Sequence, residues 1–480
     1  MKKKKKSLSA FSILFIILIV IFVISLFLNG MTFDPVLPKG AEEPVSEVAK
    51  ASFSDLIMSP YYGFVDAVDI SIFVLVLGGF LGIVADTGAL EAGIHRLVKN
   101  SKGKELMLIT ILMLLFSLGG TVYGMAEETV AFYGVITTAM IAAGFDSVVA
   151  VATICLGAGA GVLGSTVNPF AIGVAVDALK GIDITANQAI ILPLGLILWL
   201  STVAICIFFV RQYAKKVQAD KGSTILSLQE VEDMEGFRIG EEGLKEFTSK
   251  HKAILYIFAF TFIVMIGSLI PWVDLGVNVF AGRTSFLTGA DYGDWYFGEI
   301  AMWFLLMGII IAIVAGMSEK EIVDSFVKGS SDILSVVLII VVSRAVSVLM
   351  QSTHIDALIL DRASKALQGT SAVIFVIGSY ILYLFLSFLI PSTSGLAFVS
   401  IPVMGGLAHA IGLSPEVMIM IFSAGCGLIN LITPTSGVVM GGLQMAKVNY
   451  STWVKFVTKI MVVIAIANVV ILSVAMLMFS

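Results

Sequence analysis

Long apolar runs divide the chain into candidate membrane spans. A helix needs about 20 apolar residues to cross the hydrocarbon core of a bilayer. Continuous runs of about this length lie at 11–28, 69–86, 190–210, 253–271, 298–316, 333–351 and 457–479. The first run follows a lysine cluster and precedes no small-residue cleavage site, so we predict a retained span rather than a signal peptide.

Four further apolar stretches are interrupted near their middle. Stretches 105–144 and 372–412 have short polar tips, whereas 147–183 and 414–446 are rich in Gly, Pro, Ser and Thr at the centre. Lipid cannot satisfy the backbone groups that a broken helix exposes, so such breaks persist where they line a cavity or bind something. We predict two re-entrant hairpins from the first pair of stretches and two broken helices from the second pair.

The composition indicates an all-α integral membrane protein. The 480 residues are 58% hydrophobic and 13% charged, whereas soluble proteins carry about 25% charged residues. The expected surroundings are therefore the lipid bilayer of the cell membrane. A net charge of −5 is mild and gives no indication of a nucleic-acid partner.

Lysine and arginine predict the orientation of the chain, because they concentrate in cytoplasmic loops. We place the cluster Lys2–Lys6 in the cytoplasm and assume that each hairpin enters and leaves the membrane on the same side. Then 22 of the 29 Lys and Arg residues are cytoplasmic, six are outside, and Arg344 lies inside a span. This bias predicts a cytoplasmic N-terminus. It determines on which side each loop lies, but it does not determine how deep the hairpins reach into the membrane.

The two halves of the chain repeat the same order of elements. Each contains a span, a short polar helix, a hairpin, a broken span and a closing span. The charge count predicts that the first hairpin opens to the cytoplasm and the second to the outside. We therefore predict an inverted-topology repeat, in which the substrate binds near the midplane of the bilayer. The predicted divisions are 1–68 (N-terminal span and outside loop), 69–211 (first repeat), 212–252 (cytoplasmic linker), 253–297 (connecting span and outside loop) and 298–480 (second repeat).

The first tip, residues 124–129, carries two carboxylates, Glu127 and Glu128, followed by Thr129. Each ionised group costs at least roughly 2.5–3.5 kcal/mol at mid-membrane on insertion scales. The pair therefore predicts a cation there: a substrate ammonium or guanidinium, a coupling ion or an exchanged proton. The alternative is a structural pair of carboxylates satisfied by Arg344 or by N–H groups of the hairpin tip, and Arg344 could also meet a substrate carboxylate.

The second tip (391–395) and the two central breaks (164–169 and 432–437) are neutral and rich in hydroxyls. Backbone N–H groups at the start of a half-helix suit a carboxylate, and oxygens at an unwound turn suit Na⁺ or an ammonium. Helix capping and helix packing by small residues are the alternatives. The candidates are Ser392, Thr393 and Ser394 at the second tip, Ser165, Thr166 and Asn168 at the first break, and Asn430, Thr433, Thr435 and Ser436 at the second.

No enzyme motif accompanies these residues. The histidines show no metal-binding spacing, and HExxH, P-loop and GxSxG patterns are absent from the sequence. We therefore predict no catalytic residue, no metal and no cofactor, with Na⁺ or H⁺ as the candidate coupling ions. A channel is disfavoured because alternating access explains two opposed hairpins better.

At these motifs the chain resembles the YfcC-type branch of the C4-dicarboxylate anaerobic carrier (DcuC-like) family, over nearly its whole length. The resemblance rests on Gly124-Met-Ala-Glu-Glu-Thr129, Gly157-Ala-Gly-Ala-Gly-Val-Leu-Gly-Ser-Thr-Val-Asn-Pro-Phe170 and Leu431-Ile-Thr-Pro-Thr-Ser-Gly437. It implies membership of the ion transporter superfamily of inverted-repeat elevator carriers. Family members are described as C4-dicarboxylate carriers, and some YfcC-like members as basic amino acid or arginine–ornithine exchangers.

One signature departs from the pattern of related carriers. Those carriers bind Na⁺ and carboxylate through Ser-Asn-Thr triplets, whereas this sequence has Ser165-Thr166 with Asn168, and Thr433 with Thr435-Ser436. We expect an elevator-type carrier that forms a homodimer. A buried acidic tip favours a cationic amino acid such as arginine or ornithine as the substrate. A proton- or sodium-coupled carrier of a C4-dicarboxylate or other organic anion is the alternative.

The charge count predicts which sites an impermeant thiol reagent reaches. In a background without native cysteines, Lys102→Cys and Ser223→Cys should label only from the cytoplasm, and Lys365→Cys only from outside. Intact cells and inverted vesicles provide the two sides for the measurement. Labelling of Ser223→Cys from outside would overturn the predicted orientation.

Overall fold

The described part of the chain is mostly helical in the computed structural model. The structure describes residues 10–36, 43–90, 92–93, 96, 104–237, 247–270, 272–273 and 276–480, so Lys2–Lys6 and Lys102 lie outside the described residues. Ten of the described helices are long and apolar enough to cross a membrane. A short antiparallel ribbon, which the apolar pattern did not predict, pairs Thr32–Val36 with Val45–Glu47.

Each predicted span corresponds to a helix, and the bounds are as follows. The helices of the described chain are α1 Ala10–Leu28, α2 Phe53–Asp66, α3 Val68–Asp86, α4 Glu105–Tyr123, α5 Phe132–Ala142, α6 Ser147–Leu163, α7 Val174–Lys180, α8 Gln188–Ala219, α9 Leu228–Glu235, α10 Ser249–Ser268, α11 Phe297–Ala315, α12 Glu319–Ser352, α13 Ile355–Leu367, α14 Ala372–Leu389, α15 Thr393–Ala410, α16 Pro415–Ile429, α17 Gly437–Met445 and α18 Tyr450–Phe479. Short 3₁₀ turns lie at Glu127–Ala131 and Lys221–Ser223, and a π-helical turn lies at Pro169–Gly173.

All four interrupted stretches are broken in the structure near the predicted positions. The first tip separates α4 from α5, and the second tip separates α14 from α15. The first break follows α6, and the second break separates α16 from α17. Each half of the chain therefore contains one interrupted tip followed by one central break among the described residues.

The helices pack into two groups that meet at the breaks. In one group, α3 packs along α12 with α2 and α11 beside them. In the other group, α4 packs on α6 and α14 packs on α16, and α6 then contacts α16. Glycine permits this last approach, because a Cβ on Gly427 would meet the backbone of Leu163. The breaks of both halves therefore lie at one central junction.

Buried carboxylates attach the linker between the halves to both of them. Asp146, the N-cap of α6, accepts hydrogen bonds from the hydroxyls of Tyr213 at 2.6 Å and Thr224 at 2.7 Å. Glu230 of α9 is 1% exposed and accepts from the backbone N–H of Asn449 at 2.7 Å, next to the start of α18. The segment that contains α9 thus connects α6 of the first half with α18 of the second.

Glu230 should stabilise this connection in a pH-dependent way. Burial raises the pKa of Glu230, but hydrogen bonds from Ser227, Asn449 and Thr452 outweigh burial and hold the pKa below its usual value. The stabilisation is therefore present above the pKa of the unfolded chain, about 4.3, and is lost as the pH falls through the folded value. Glu230→Gln should lower the free energy of unfolding by about 1–3 kcal/mol at neutral pH.

Thermal unfolding of the detergent-solubilised protein across pH measures this effect. The difference from the wild type should shrink below about pH 4. Glu232→Gln is the matched control, because Glu232 is exposed on the same helix. An equal loss of stability in both variants would contradict the assignment to the hydrogen bonds at the start of α18.

Candidate functional site

A cavity of about 160 Å³ lies where the two tips meet the two central breaks. A cavity of about 150 Å³ can hold a molecule the size of benzene, so the space suits part or all of a small metabolite. Eleven candidates from the sequence line it: Glu127, Glu128, Thr129, Asn168, Arg344, Ser392, Thr393, Ser394, Asn430, Thr435 and Ser436. Ser165, Thr166 and Thr433 are buried outside this lining.

The first tip presents its two carboxylates on a 3₁₀ turn. The Glu128 side chain is 4% exposed and accepts a hydrogen bond from the backbone N–H of Ala126 at 3.1 Å. The Thr129 hydroxyl donates to the carbonyl of Ala126 at 2.6 Å and closes the same turn. Neither Glu127 nor Glu128 forms an ion pair with another residue that the structure describes. Both carboxylates therefore remain available to a cation in the cavity.

Arg344 pairs with Asp66, a residue that the sequence interpretation did not single out. The Arg344 Nε lies 3.7 Å from Asp66 Oδ2. The alternative interpretation, a structural pair between Arg344 and Glu127 or Glu128, is therefore not what the structure shows. Asp66 was missed because residues 1–68 were assigned to a span and an outside loop, whereas α2 is a helix that leads through one residue into α3.

The second tip is neutral and begins a helix. Ser392 is the N-cap of α15, and its hydroxyl accepts from the backbone N–H of Gly395 at 3.3 Å. Thr393 and Ser394 form the first turn of this helix and line the cavity beside it. Unpaired N–H groups and the positive end of the helix dipole favour a negative group at such a position.

Threonine side chains hydrogen-bond each break to the helix that precedes the tip in the same half. The N–H and hydroxyl of Thr166 donate to the carbonyl of Thr121, near the end of α4, at 2.9 and 3.0 Å. In the second half, the hydroxyls of Thr433 and Thr435 donate to the carbonyl of Phe388, near the end of α14, at 3.1 and 2.6 Å. These hydroxyls satisfy backbone groups that lipid could not satisfy, which gives Thr166 and Thr433 a structural role.

The two asparagines near the breaks differ in their hydrogen bonds. Asn168 Oδ1 accepts from the N–H of Phe170 at 2.9 Å, and its Nδ2 donates to Ser165 Oγ at 2.9 Å. Asn430 Oδ1 is buried and has no hydrogen-bond partner within the described chain. A buried acceptor without a partner costs about 1–3 kcal/mol. Asn430 is therefore the better candidate for a direct contact with a ligand.

Aromatic rings that the sequence interpretation missed form another part of the wall. Phe170 and Tyr296 have ring centroids 5.7 Å apart, and the Tyr296 and Phe297 centroids are 4.7 Å apart. All three residues line the cavity. Tyr296 and Phe297 were assigned to an outside loop, although a polar segment followed by an apolar run could have indicated a helix start there. Aromatic faces attract cations.

The part of the chain that the structure describes contains no candidate metal-binding site. Its His, Cys, Asp and Glu residues form no group of three or more that could hold a metal ion.

The hydrogen bonds predict two different results for substitutions near the breaks. Thr166→Val and Thr433→Val remove bonds to backbone carbonyls, so each should lower stability by about 1–3 kcal/mol while the folded protein keeps its ligand affinity. Asn430→Ala should leave stability unchanged or higher and weaken ligand binding about tenfold or more. Thermal unfolding with and without arginine or ornithine measures both quantities. Full affinity in Asn430→Ala would reduce Asn430 to a packing residue.

A central cavity between broken helices, in a bundle of many membrane-crossing helices, defines a membrane carrier. The chain belongs to the C4-dicarboxylate anaerobic carrier family, DcuC, whose family model matches residues 8–477. The protein is therefore a transporter of a small molecule and not an enzyme.

Two relatives cover most of the chain. An uncharacterized protein of Haemophilus influenzae is 32% identical over 465 residues, which are 95% of this chain and 85% of the relative. A protein of Escherichia coli, provisionally named basic amino acid antiporter YfcC, is 28% identical over 84% of this chain and 76% of its own length.

Two solved structures are similar at lower levels of identity. The YdaH transporter of Alcanivorax borkumensis is 13% identical with a TM-score of 0.48, and the match covers 96% of this chain and 97% of that one. MtrF of Neisseria gonorrhoeae, described with a class of antimetabolite efflux pumps, is 17% identical with a TM-score of 0.44, over 99% and 96%. These scores assign no substrate to this chain.

Proposed function

We propose that the protein is a secondary active transporter, an exchanger or symporter, of a cationic amino acid such as arginine or ornithine. One observation carries the proposal: Glu127 and Glu128, without ion pairs in the described chain, line the same cavity as the neutral start of α15. The cavity thus offers negative charge at one tip and hydrogen-bond donors at the other.

A cationic amino acid matches this division of charge. Its side-chain ammonium or guanidinium would meet Glu127 or Glu128, because charge-assisted hydrogen bonds are about twice as strong as neutral ones. Its carboxylate would meet Thr393, Ser394 and the N–H groups that begin α15. Phe170 and Tyr296 would add attraction for the cationic group.

A further polar group of the cavity, the Asn430 side chain, suits the α-ammonium of the same substrate. Asn430 Oδ1 is a buried acceptor without a partner in the described chain, and an ammonium carries three donors and no acceptor. We assign the α-ammonium to this oxygen. The substrate would then satisfy a group that costs free energy when the cavity is empty.

A C4-dicarboxylate matches the cavity less well. It would bring two further carboxylates beside Glu127 and Glu128, and like charges at such distances disfavour ionisation. Arg344 is the one cation among the residues that line the cavity, and Asp66 already pairs with it. A dicarboxylate carrier would therefore require protons or Na⁺ to offset the charge of the tip.

The proposal includes the mode of transport. We infer an elevator-type inverted repeat in which the re-entrant hairpins and the two broken helices move against the group built on α3 and α12. The packing of the helices into these two groups supports this division. The lysine and arginine distribution supports a cytoplasmic N-terminus. The same proposal includes assembly as a homodimer. It also includes transport that is driven by exchange or coupled to Na⁺ or H⁺.

Substitution of the first tip tests the substrate. Glu127→Gln and Glu128→Gln keep the side-chain shape and remove the charge. At least one of them should weaken arginine and ornithine binding about tenfold or more, because a charge-assisted bond is lost. Binding of citrulline, which has no cationic side chain, should change less. Binding to the purified protein, followed by uptake into proteoliposomes, measures both effects.

Glu319→Gln is the control, because Glu319 is exposed at the start of α12 and lies outside the cavity lining. Succinate is the competing substrate in every assay. A wild-type protein that transports succinate and ignores arginine and ornithine would refute the proposed substrate, whatever the variants do.

A further inference from the structure

The helix before α3 reaches the cavity wall through a close contact. α2 ends at Asp66, the single residue Ala67 interrupts the helix, and α3 begins at Val68. α2 lies against α12 at Gly63, where an added Cβ would meet the carbonyl oxygen of Val341 at 2.5 Å and the backbone nitrogen of Ala345 at 2.6 Å. This approach brings Asp66 beside Arg344.

The two members of the ion pair differ in their relation to the cavity. Arg344 lines the cavity, whereas Asp66 does not. The Arg344 side chain is 19% exposed and the Asp66 side chain 51%. The Nε of Arg344 lies 3.7 Å from Asp66 Oδ2, and the structure records no hydrogen bond from the terminal nitrogens of Arg344 within the described chain. Asp66 thus offsets the charge of Arg344 from outside the cavity.

Neighbouring residues hold Arg344 in the wall. The Ser343 hydroxyl donates a hydrogen bond to the carbonyl of Thr435 at the second break. One turn earlier on α12, Ile340 packs against Gly437, where a Cβ would collide with the isoleucine side chain. The arginine therefore stays beside the cavity, and its effect on a ligand depends on whether its charge is offset.

We propose that Asp66 sets the charge selectivity of the cavity by neutralising Arg344. This inference rests on the proposed function, since it takes the cavity to be the transport site. With Asp66 present, Glu127 and Glu128 dominate the field in the cavity and favour a cation. Without Asp66, the guanidinium repels a substrate cation, attracts carboxylates and competes for Glu127 and Glu128.

Selectivity between arginine and citrulline separates this role from a structural one. The two ligands have nearly the same shape and differ in side-chain charge. Asp66→Asn should lower the ratio of arginine to citrulline affinity about tenfold, because an uncompensated cation acts on the charged ligand alone. Loss of helix packing would instead weaken both ligands together. Asp66→Glu keeps the charge and should keep the ratio.

Two variants of Arg344 complete the test. Arg344→Gln should raise the ratio of arginine to citrulline affinity. This variant also tests the proposal if Asp66→Asn does not fold. The double variant Asp66→Asn, Arg344→Gln removes both charges and should restore the ratio to within a few-fold of wild type. An unchanged ratio in Asp66→Asn, or a lowered ratio in Arg344→Gln, would overturn the proposal.

The wild-type measurement separates this proposal from the proposed function. If the wild type binds neither arginine nor ornithine, the assigned substrate is wrong. If the wild type prefers arginine over citrulline and the ratio is the same in all Asp66 and Arg344 variants, only the role of Asp66 is wrong. Binding to purified protein by calorimetry, with succinate as a third ligand, provides the ratios.

Discussion

Backbone groups at the broken helices form the constraint on which the rest of the structure depends. A helix that stops inside a membrane exposes N–H and C=O groups that lipid cannot satisfy. Here threonine hydroxyls satisfy such backbone groups in both halves. Thr166 donates to the carbonyl of Thr121, and Thr433 and Thr435 donate to the carbonyl of Phe388. These bonds join the first break to α4 and the second break to α14, and the contact between α6 and α16 brings the two breaks together.

The same constraint explains why spans and breaks could be predicted from the sequence. Apolar runs and clusters of Gly, Pro, Ser and Thr are local signals, so each predicted span overlaps one helix, although α8, α12 and α18 extend beyond their apolar runs into polar segments. Whether a hydroxyl at a break binds a ligand or a carbonyl is not a local property. Thr166 and Asn430 both have polar side chains, yet Thr166 bonds to α4 and Asn430 keeps a buried oxygen without a partner in the described chain.

The residues that the sequence did not reveal depend on tertiary contacts. α2 has 14 residues and a polar end, so its pattern is too short to indicate a span. Its position follows from Gly63, whose missing side chain allows α12 to approach, and only this approach joins Asp66 to Arg344. Glu230 is similar: it lies in a charged segment typical of a solvated linker, yet it is buried against the start of α18.

Charge balance connects the cavity with the transport cycle under the proposed function. Arg344 has a partner outside the cavity, whereas Glu127 and Glu128 have no ion pair within the described chain. Moving two ionised carboxylates through a low-dielectric region without a counter-charge is costly. A bound cation, whether substrate, Na⁺ or proton, lowers that cost and so favours movement of the loaded cavity over the empty one. A carrier whose empty cavity moves slowly returns mainly with a second cation bound, which is the behaviour of an exchanger. Under the proposed function, the absence of a cation paired with the first tip among the described residues is therefore the feature that links substrate charge to exchange.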